Sequence, residues 1–264
     1  MKLDFRDAKT DADVKAVMEN AAPQFEALKK YADELQKRTD KVQAVLKDGT
    51  VAGNLHQILP EKELPLAAIK HITLTEKDVS LDNLRAAING RPDHACPAGT
   101  YTRLFVRSSP EKGWTLIMSD TPYEIRAGRW FTNTATGDVL IIGLGIGATL
   151  IPVLRKNTVR SVTVIEKNPD VIALVEENLR NALAAEGEKA HRKLEVIPAD
   201  GFTWRAPRGV LYDTIWLDIW PEICQSNLPE ITKLKRRYAR RLNRHYNKNS
   251  WMGAWEEHYL RRLR

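Results

Sequence analysis

The stretch Asp138-Val-Leu-Ile-Ile-Gly143-Leu-Gly145-Ile-Gly147-Ala-Thr149 decides the fold. Val139 to Ile142 form a short apolar run without alternation, the pattern of a strand buried on both faces in a parallel sheet. It stops at three alternate glycines, Gly143, Gly145 and Gly147, where a backbone without Cβ atoms lets a ligand come close and the next helix offers free N–H groups. That helix is predicted from Thr149 to roughly Lys156. It leads into a second β-branched run, Val162 to Ile165, which ends on Glu166 about twenty residues past the glycines, the position of a ribose-binding acid in a βαβ unit.

Gly143, Gly145 and Ala148 also satisfy the looser G-x-G-x-x-G/A pattern, so the loop alone fits a nicotinamide dinucleotide as well as S-adenosylmethionine (SAM). The downstream residues separate the two. Leu194 to Ala199 reads as a strand ending on Asp200, and Tyr212 to Leu217 as one ending on Asp218. Ligands of open α/β sheets sit at the carboxyl ends of strands, so four strand ends converge on one crevice.

On these motifs, from about Thr115 to Pro221, the chain resembles the class I SAM-dependent methyltransferases and especially their spermidine-synthase-like branch. The resemblance implies that Gly143, Gly145 and Gly147 face the methionine part of SAM, that Glu166 holds the ribose, that Asp200 meets the adenine amino group, and that Asp218 faces the reacting centre as the catalytic residue. Phe202, just past Asp200, is a candidate to lie on the adenine ring, and Trp220 a candidate pocket wall; core filling is the plainer role for both. Asp120, Tyr123 and Glu124 stand where such enzymes have residues that close over cofactor and acceptor, although Asp120-Thr-Pro also suits a turn opening a helix. Two positions depart from the branch. Ile146 and Pro221 stand where spermidine synthases carry aspartates, which weighs against a cationic amine as acceptor.

The expected fold class is α/β: a Rossmann-like SAM-binding parallel sheet, truncated on its C-terminal side because only helix-like, basic sequence follows Asp218, and preceded by an N-terminal helical segment and a small β-hairpin unit. The corresponding domains are residues 1–48, 49–120, 121–226 and 227–264. In the second, Ile69 to Leu74 reads as a strand, Leu81 to Ile88 as a helix capped by Ser80 and closed by Gly90, and Tyr101 to Arg107 with Trp114 to Met118 as a hairpin.

The 264 residues, 43% hydrophobic and 28% charged, suit a globular chain rather than a disordered or membrane one. No apolar run is long enough to span a bilayer, and the first residues lack the apolar core of a signal peptide, so no membrane partner and a cytoplasmic location are expected. Cys96 and Cys224 make no disulfide framework, and with His94 they make no full ligand set, so no metal site is expected. Val14, Met18, Ala21, Phe25, Leu28, Ala32, Leu35, Thr39, Val42 and Leu46 recur at four and three, a heptad stripe interrupted by Pro23. It suits either packing on its own domain or homo-oligomer formation through residues 14–46, on one helix or two.

The basic character is confined to the tail. From Lys233 to Arg264 there are eleven Lys or Arg against two acids, a net of +9, whereas the whole chain nets +7 and the rest therefore −2. Leu228, Ile231, Leu234, Tyr238 and Leu242 give this segment one apolar face behind the charges. With Tyr238, His245, Tyr246, Trp251 and Trp255 interleaved, 233–264 is a candidate nucleic-acid surface, set against a solvated helix face with docked aromatics. The function expected is a SAM-binding transferase, a methyltransferase acting on an unidentified acceptor. The alternatives are aminopropyl transfer, and a non-catalytic assembly protein working through its heptad segment and basic tail on nucleic acid or protein.

Overall fold

The computed structural model describes residues 10–47, 54–185 and 193–262. The leader reading of the first residues, the side chain of Val14 and the terminal Arg264 lie outside the described residues. The chain divides into two compact units, one of residues 1–48 with 77–96, the other of residues 49–76 with 97–264.

In the first unit a single helix, α1 (Asp11–Lys47), passes through Pro23. Pro23 is exposed. Among the described members of the heptad stripe, Ala21 and Val42 are buried. Val42 joins Ala86, Ala87 and Ala95 in a small core with Val45 and Leu46 against it, while Met18, Phe25 and Leu28 are exposed. The partner helix α2 (Glu76–Ile88) starts a turn before Ser80, whose hydroxyl donates to the Lys77 carbonyl instead of capping. Gly90 closes it at a positive φ of 64°, as expected.

The second unit opens with an antiparallel sheet in the order β1 (Lys62–Glu63), β2 (Ala67–Leu74), β3 (Gly99–Val106) and β4 (Thr115–Ser119). After two short helices, α3 (Pro122–Ala127) and α4 (Arg129–Thr134), the α/β layer begins with β5 (Gly137–Ile142) and α5 (Leu150–Leu154). It continues through β6 (Val159–Glu166), α6 (Pro169–Ala185), β7 (Leu194–Pro198), β8 (Thr214–Leu217), α7 (Asn227–Tyr238), β9 (Trp251–Ala254) and α8 (Glu257–Arg262).

The five strands of this layer are ordered β7-β6-β5-β8-β9, and every pairing is parallel. Alternation of side chains explains the unbroken apolar run of β5. Val139 and Ile141 enter one core with Leu150, Leu154, Leu174 and Leu179 of α5 and α6; Leu140 and Ile142 enter the other with Leu228, Ile231, Leu234 and Tyr238 of α7. The strand order reverses between β5 and β8. That switch point leaves a crevice at their carboxyl ends.

The sequence after Asp218 holds one more strand than the reading of it as helix-like and basic allowed. Trp251–Ala254 pairs with Thr214–Leu217 in parallel and forms the sheet edge. Trp251 lies 4.3 Å from Trp130 and edge-on to Phe131 and Trp216, so it is part of an aromatic cluster and is not a free stacking surface. Tyr238 is buried as well.

Candidate cofactor and acceptor cavity

A cavity of about 510 Å³ opens at this switch point. Its floor is the loop after β5. Gly143 has φ 103° and donates its N–H to the Ile165 carbonyl at 2.8 Å, and a Cβ there would collide with the Asp218 carbonyl oxygen. Only glycine fits that approach of two strand ends. Gly145, at φ 53°, faces the Met118 sulfur, which also accepts the Ile146 N–H at 3.2 Å. Gly143 and Gly145 line the cavity, whereas Gly147 stands outside its lining and is packed against Leu179 of α6.

Glu166, at the end of β6, holds the loop in place. Its Oε2 accepts the Leu144 N–H at 2.9 Å and its Oε1 the Asn168 N–H at 2.8 Å. Each carboxylate oxygen retains a lone pair for a further donor, and Glu166 lines the cavity. Asp200 and Phe202 line it at the end of β7, where Asp200 Oδ1 accepts the Phe202 N–H at 2.7 Å. The Lys233 ammonium lies 5.2 Å from the Phe202 ring centre.

Asp218 and Glu124 form the opposite wall. Asp218 is half-buried at the end of β8, and its one side-chain donor among the described residues is the Trp216 indole N–H at 3.4 Å. Burial first, with repulsion from Glu124 added, pushes its carboxyl up to about 6 against the pull of that indole. Glu124 accepts the Ser119 N–H at 2.8 Å and the Ser119 hydroxyl at 2.9 Å; burial outweighs these bonds and raises its carboxyl too. Two like groups that each resist ionisation, facing one cavity, favour a state with a proton available to move.

The remaining predicted residues divide by environment. Tyr123 lines the cavity beside Glu124, although α3 does begin at a proline after Thr121, as a plain helix start requires. Trp220 lines it while donating its indole N–H to Glu230 at 2.8 Å. Asp120 stands outside the lining and fully buried, accepting the Thr102 N–H at 2.6 Å and the Leu55 N–H at 3.0 Å, so it ties the hairpin to the turn before β1. Ile146 is buried in the core and Pro221 lines the cavity, so neither position supplies a carboxylate.

Met118 and Asn168 also line the cavity and were not singled out from the sequence, and Trp255, read there as an aromatic of the nucleic-acid surface, lines the cavity instead. The Asn168 Oδ1 accepts the Asp170 N–H at 3.0 Å at the start of α6, and Asn-Pro-Asp was a readable helix-start signal. Among the described residues no group of three or more His, Cys, Asp or Glu is placed to hold a metal ion, and no helix is long and apolar enough to cross a membrane.

A doubly wound parallel sheet whose glycine loop and strand-end acids surround one cavity defines a Rossmann-like, methyltransferase-type fold. Residues 129–256 match the spermine/spermidine synthase domain. This part of the chain is spermidine-synthase-like. Among solved structures, the mitomycin 7-O-methyltransferase MmcR is similar at 17% identity, with 50% of this chain and 36% of that one covered and a TM-score of 0.36. The N-methyltransferase NodS from Bradyrhizobium japonicum WM9 is similar at 16% identity, with 46% and 63% covered and a TM-score of 0.33. For the plantazolicin methyltransferase BpumL in complex with SAH the values are 16%, 46%, 42% and 0.32. The chain thus spans less than two thirds of the length of each. No curated protein matches the chain.

Proposed function

We propose that this protein binds SAM in the cavity at the β5–β8 switch point and transfers its methyl group to an acceptor held between Asp218 and Glu124. The observation that carries the reading is the convergence of Gly143, Gly145, Glu166, Asp200 and Asp218 on one cavity of about 510 Å³, a size within the range of small-ligand pockets. The donor set fits the cofactor. Glu166 has lone pairs left for ribose hydroxyls, Asp200 is an acceptor for an exocyclic amine, and Phe202 offers an apolar ring beside it. When bound, SAM supplies an electrophilic methyl group on a sulfonium.

The protein's own contribution is position and proton removal. Tyr123, Trp220 and Trp255 wall the acceptor side and exclude water, and the glycine loop fixes the donor side, which together confine the reacting atoms. The Asp218 carboxylate takes the acceptor's proton at one of its oxygens, and Glu124 is placed to share it. Aminopropyl transfer is the second reading, favoured by the spermine/spermidine synthase match. It is weakened by the absence of acids at Ile146 and Pro221.

Titration calorimetry with SAM, its demethylated product and decarboxylated SAM tests the assignment. SAM and product should bind, and Glu166→Ala should weaken them by about 1 to 3 kcal/mol as ribose hydroxyls lose an acceptor. Asp218→Asn should keep the affinity while turnover drops about 10²-fold or more. Preference for decarboxylated SAM would move the assignment to aminopropyl transfer. Binding of none of the three would leave the fold as a scaffold without this activity.

A further inference from the structure

The basic tail read from the sequence is two populations of cations. Arg237 donates to the carbonyls of Thr203 and Trp204, Arg241 to those of Ala206 and Pro207 at 2.9 and 3.0 Å, and Lys235 pairs with Glu257 at 2.8 Å. These three are structural, and the first two clamp the loop of residues 203–208 onto α7 and the turn that follows it. That clamp has a consequence for charge. It ties the loop that carries Arg205 and Arg208, which no spacing rule joined to the tail, to the segment that carries Arg236, Arg240, Arg244 and Lys248. All six are exposed, and none makes an ion pair or side-chain hydrogen bond among the described residues.

Against this surface lies a second groove of about 460 Å³, at the amino ends of the strands and so at the opposite end of the sheet from the first cavity. Gly209 and Asn243 line it, each adjacent in sequence to a free arginine, Arg208 and Arg244. Tyr246 lines it with 79% of its surface exposed, and its ring is edge-on to His245 at 4.6 Å. The Asn243 amide nitrogen donates to Asp213 Oδ1 at 2.8 Å. A carboxylate so engaged only accepts, which fixes the amide's orientation and leaves Asn243 Oδ1 buried as an acceptor with no donor. Asp138, the one acid in the lining, is already paired with Arg160 at 2.6 Å.

We propose that this surface binds a single-stranded nucleic acid, with Arg205, Arg208, Arg236, Arg240, Arg244 and Lys248 on the phosphates and a base in the groove against Tyr246. Cations alone fit any polyanion. An exposed aromatic ring in a groove flanked by those cations fits an unpaired base, which has a face to stack. The site is remote from the cavity and independent of the reaction proposed there, so the strand docks the protein and need not be the acceptor.

The test is fluorescence anisotropy of the full chain with labelled single-stranded RNA, single-stranded DNA and duplex of one length, from low to high salt. Binding of either single strand should fall with salt at a log–log slope of about −0.7 per phosphate neutralised, near −3 with about four cations engaged. Replacing Arg205, Arg208, Arg236, Arg240 and Arg244 by glutamine should flatten that slope with the circular dichroism spectrum unchanged, since none of the five holds the fold together. Tyr246→Ala should weaken single strands about ten-fold, the scale of one lost stack, and leave duplex binding unaltered. The proposal is overturned by absence of binding at low salt, by a quintuple variant that binds as the parent does, by a silent Tyr246→Ala, or by equal competition from polyglutamate.

Discussion

At the residue scale, Asp218 is where stability and chemistry oppose each other. Its carboxyl sits at about 6 in the folded protein against an ordinary 3.8, so the folded state holds the proton more tightly than the unfolded one. The sign follows from linkage: the penalty is absent below the unfolded value, grows as pH rises from about 4 to 6, and is complete above. At 1.36 kcal/mol per pKa unit, that penalty is about 3 kcal/mol. Asp218→Asn removes the ionisation and should raise the melting temperature at pH 8 while changing it little at pH 4. Thermal unfolding of the two proteins at both pH values measures this; equal shifts at both would show that burial of the charge is not the source. The same variant should lose turnover, a stability gained at the site of lost activity.

Asp213 shows the opposite balance. Burial would raise its carboxyl, yet donors from Asn247, the Asp138 N–H, Asn243 and Arg160 outweigh burial and hold it below the usual range. Both aspartates are nearly alike in sequence, each flanking β8. Only the number of donors folded around them separates a structural carboxylate from a reactive one.

At the scale of elements, β9 closes the aromatic cluster against the sheet edge. Gly253 lies beneath it, where a Cβ would come within 3.1 Å of the Trp216 and Trp251 rings. Trp251→Ala should cost about 3 kcal/mol of unfolding free energy, at the lower end for a large aromatic because the residue is half-buried, without changing nucleic-acid affinity. Denaturant unfolding and the anisotropy assay read the two quantities separately, and an effect on affinity alone would return Trp251 to the binding surface. This strand also marks a limit of legibility. The β5 and β6 runs were readable because burial on both faces demands consecutive apolar residues. Trp251-Met-Gly-Ala is four residues with one glycine, and its strand conformation comes from parallel pairing with β8, a contact no local pattern encodes. The site was legible to a similar degree. Glycines and strand-end acids announced the crevice because topology puts them there. The division of Asp120 from Glu124, or of Arg237 from Arg236, depends on which backbone groups each side chain meets.

At the scale of the molecule, every residue lining the first cavity belongs to the second compact unit, and so does every member of the basic surface. The first unit is discontinuous, because α2 returns to it between β2 and β3 while the small core of Val42, Ala86, Ala87 and Ala95 joins α1 to that insertion. Removing residues 1–47 therefore uncovers three alanines and deletes no cavity wall. A chain lacking them should bind SAM with a dissociation constant within about threefold of the full protein's, a change under 1 kcal/mol. Its helical signal should fall by more than α1 alone accounts for, since α2 loses the partner that offsets its ordering cost. Calorimetry and far-ultraviolet circular dichroism on the same preparation give both numbers. A loss of SAM affinity beyond tenfold, with the strand signal intact, would mean that the N-terminal unit completes the cavity after all.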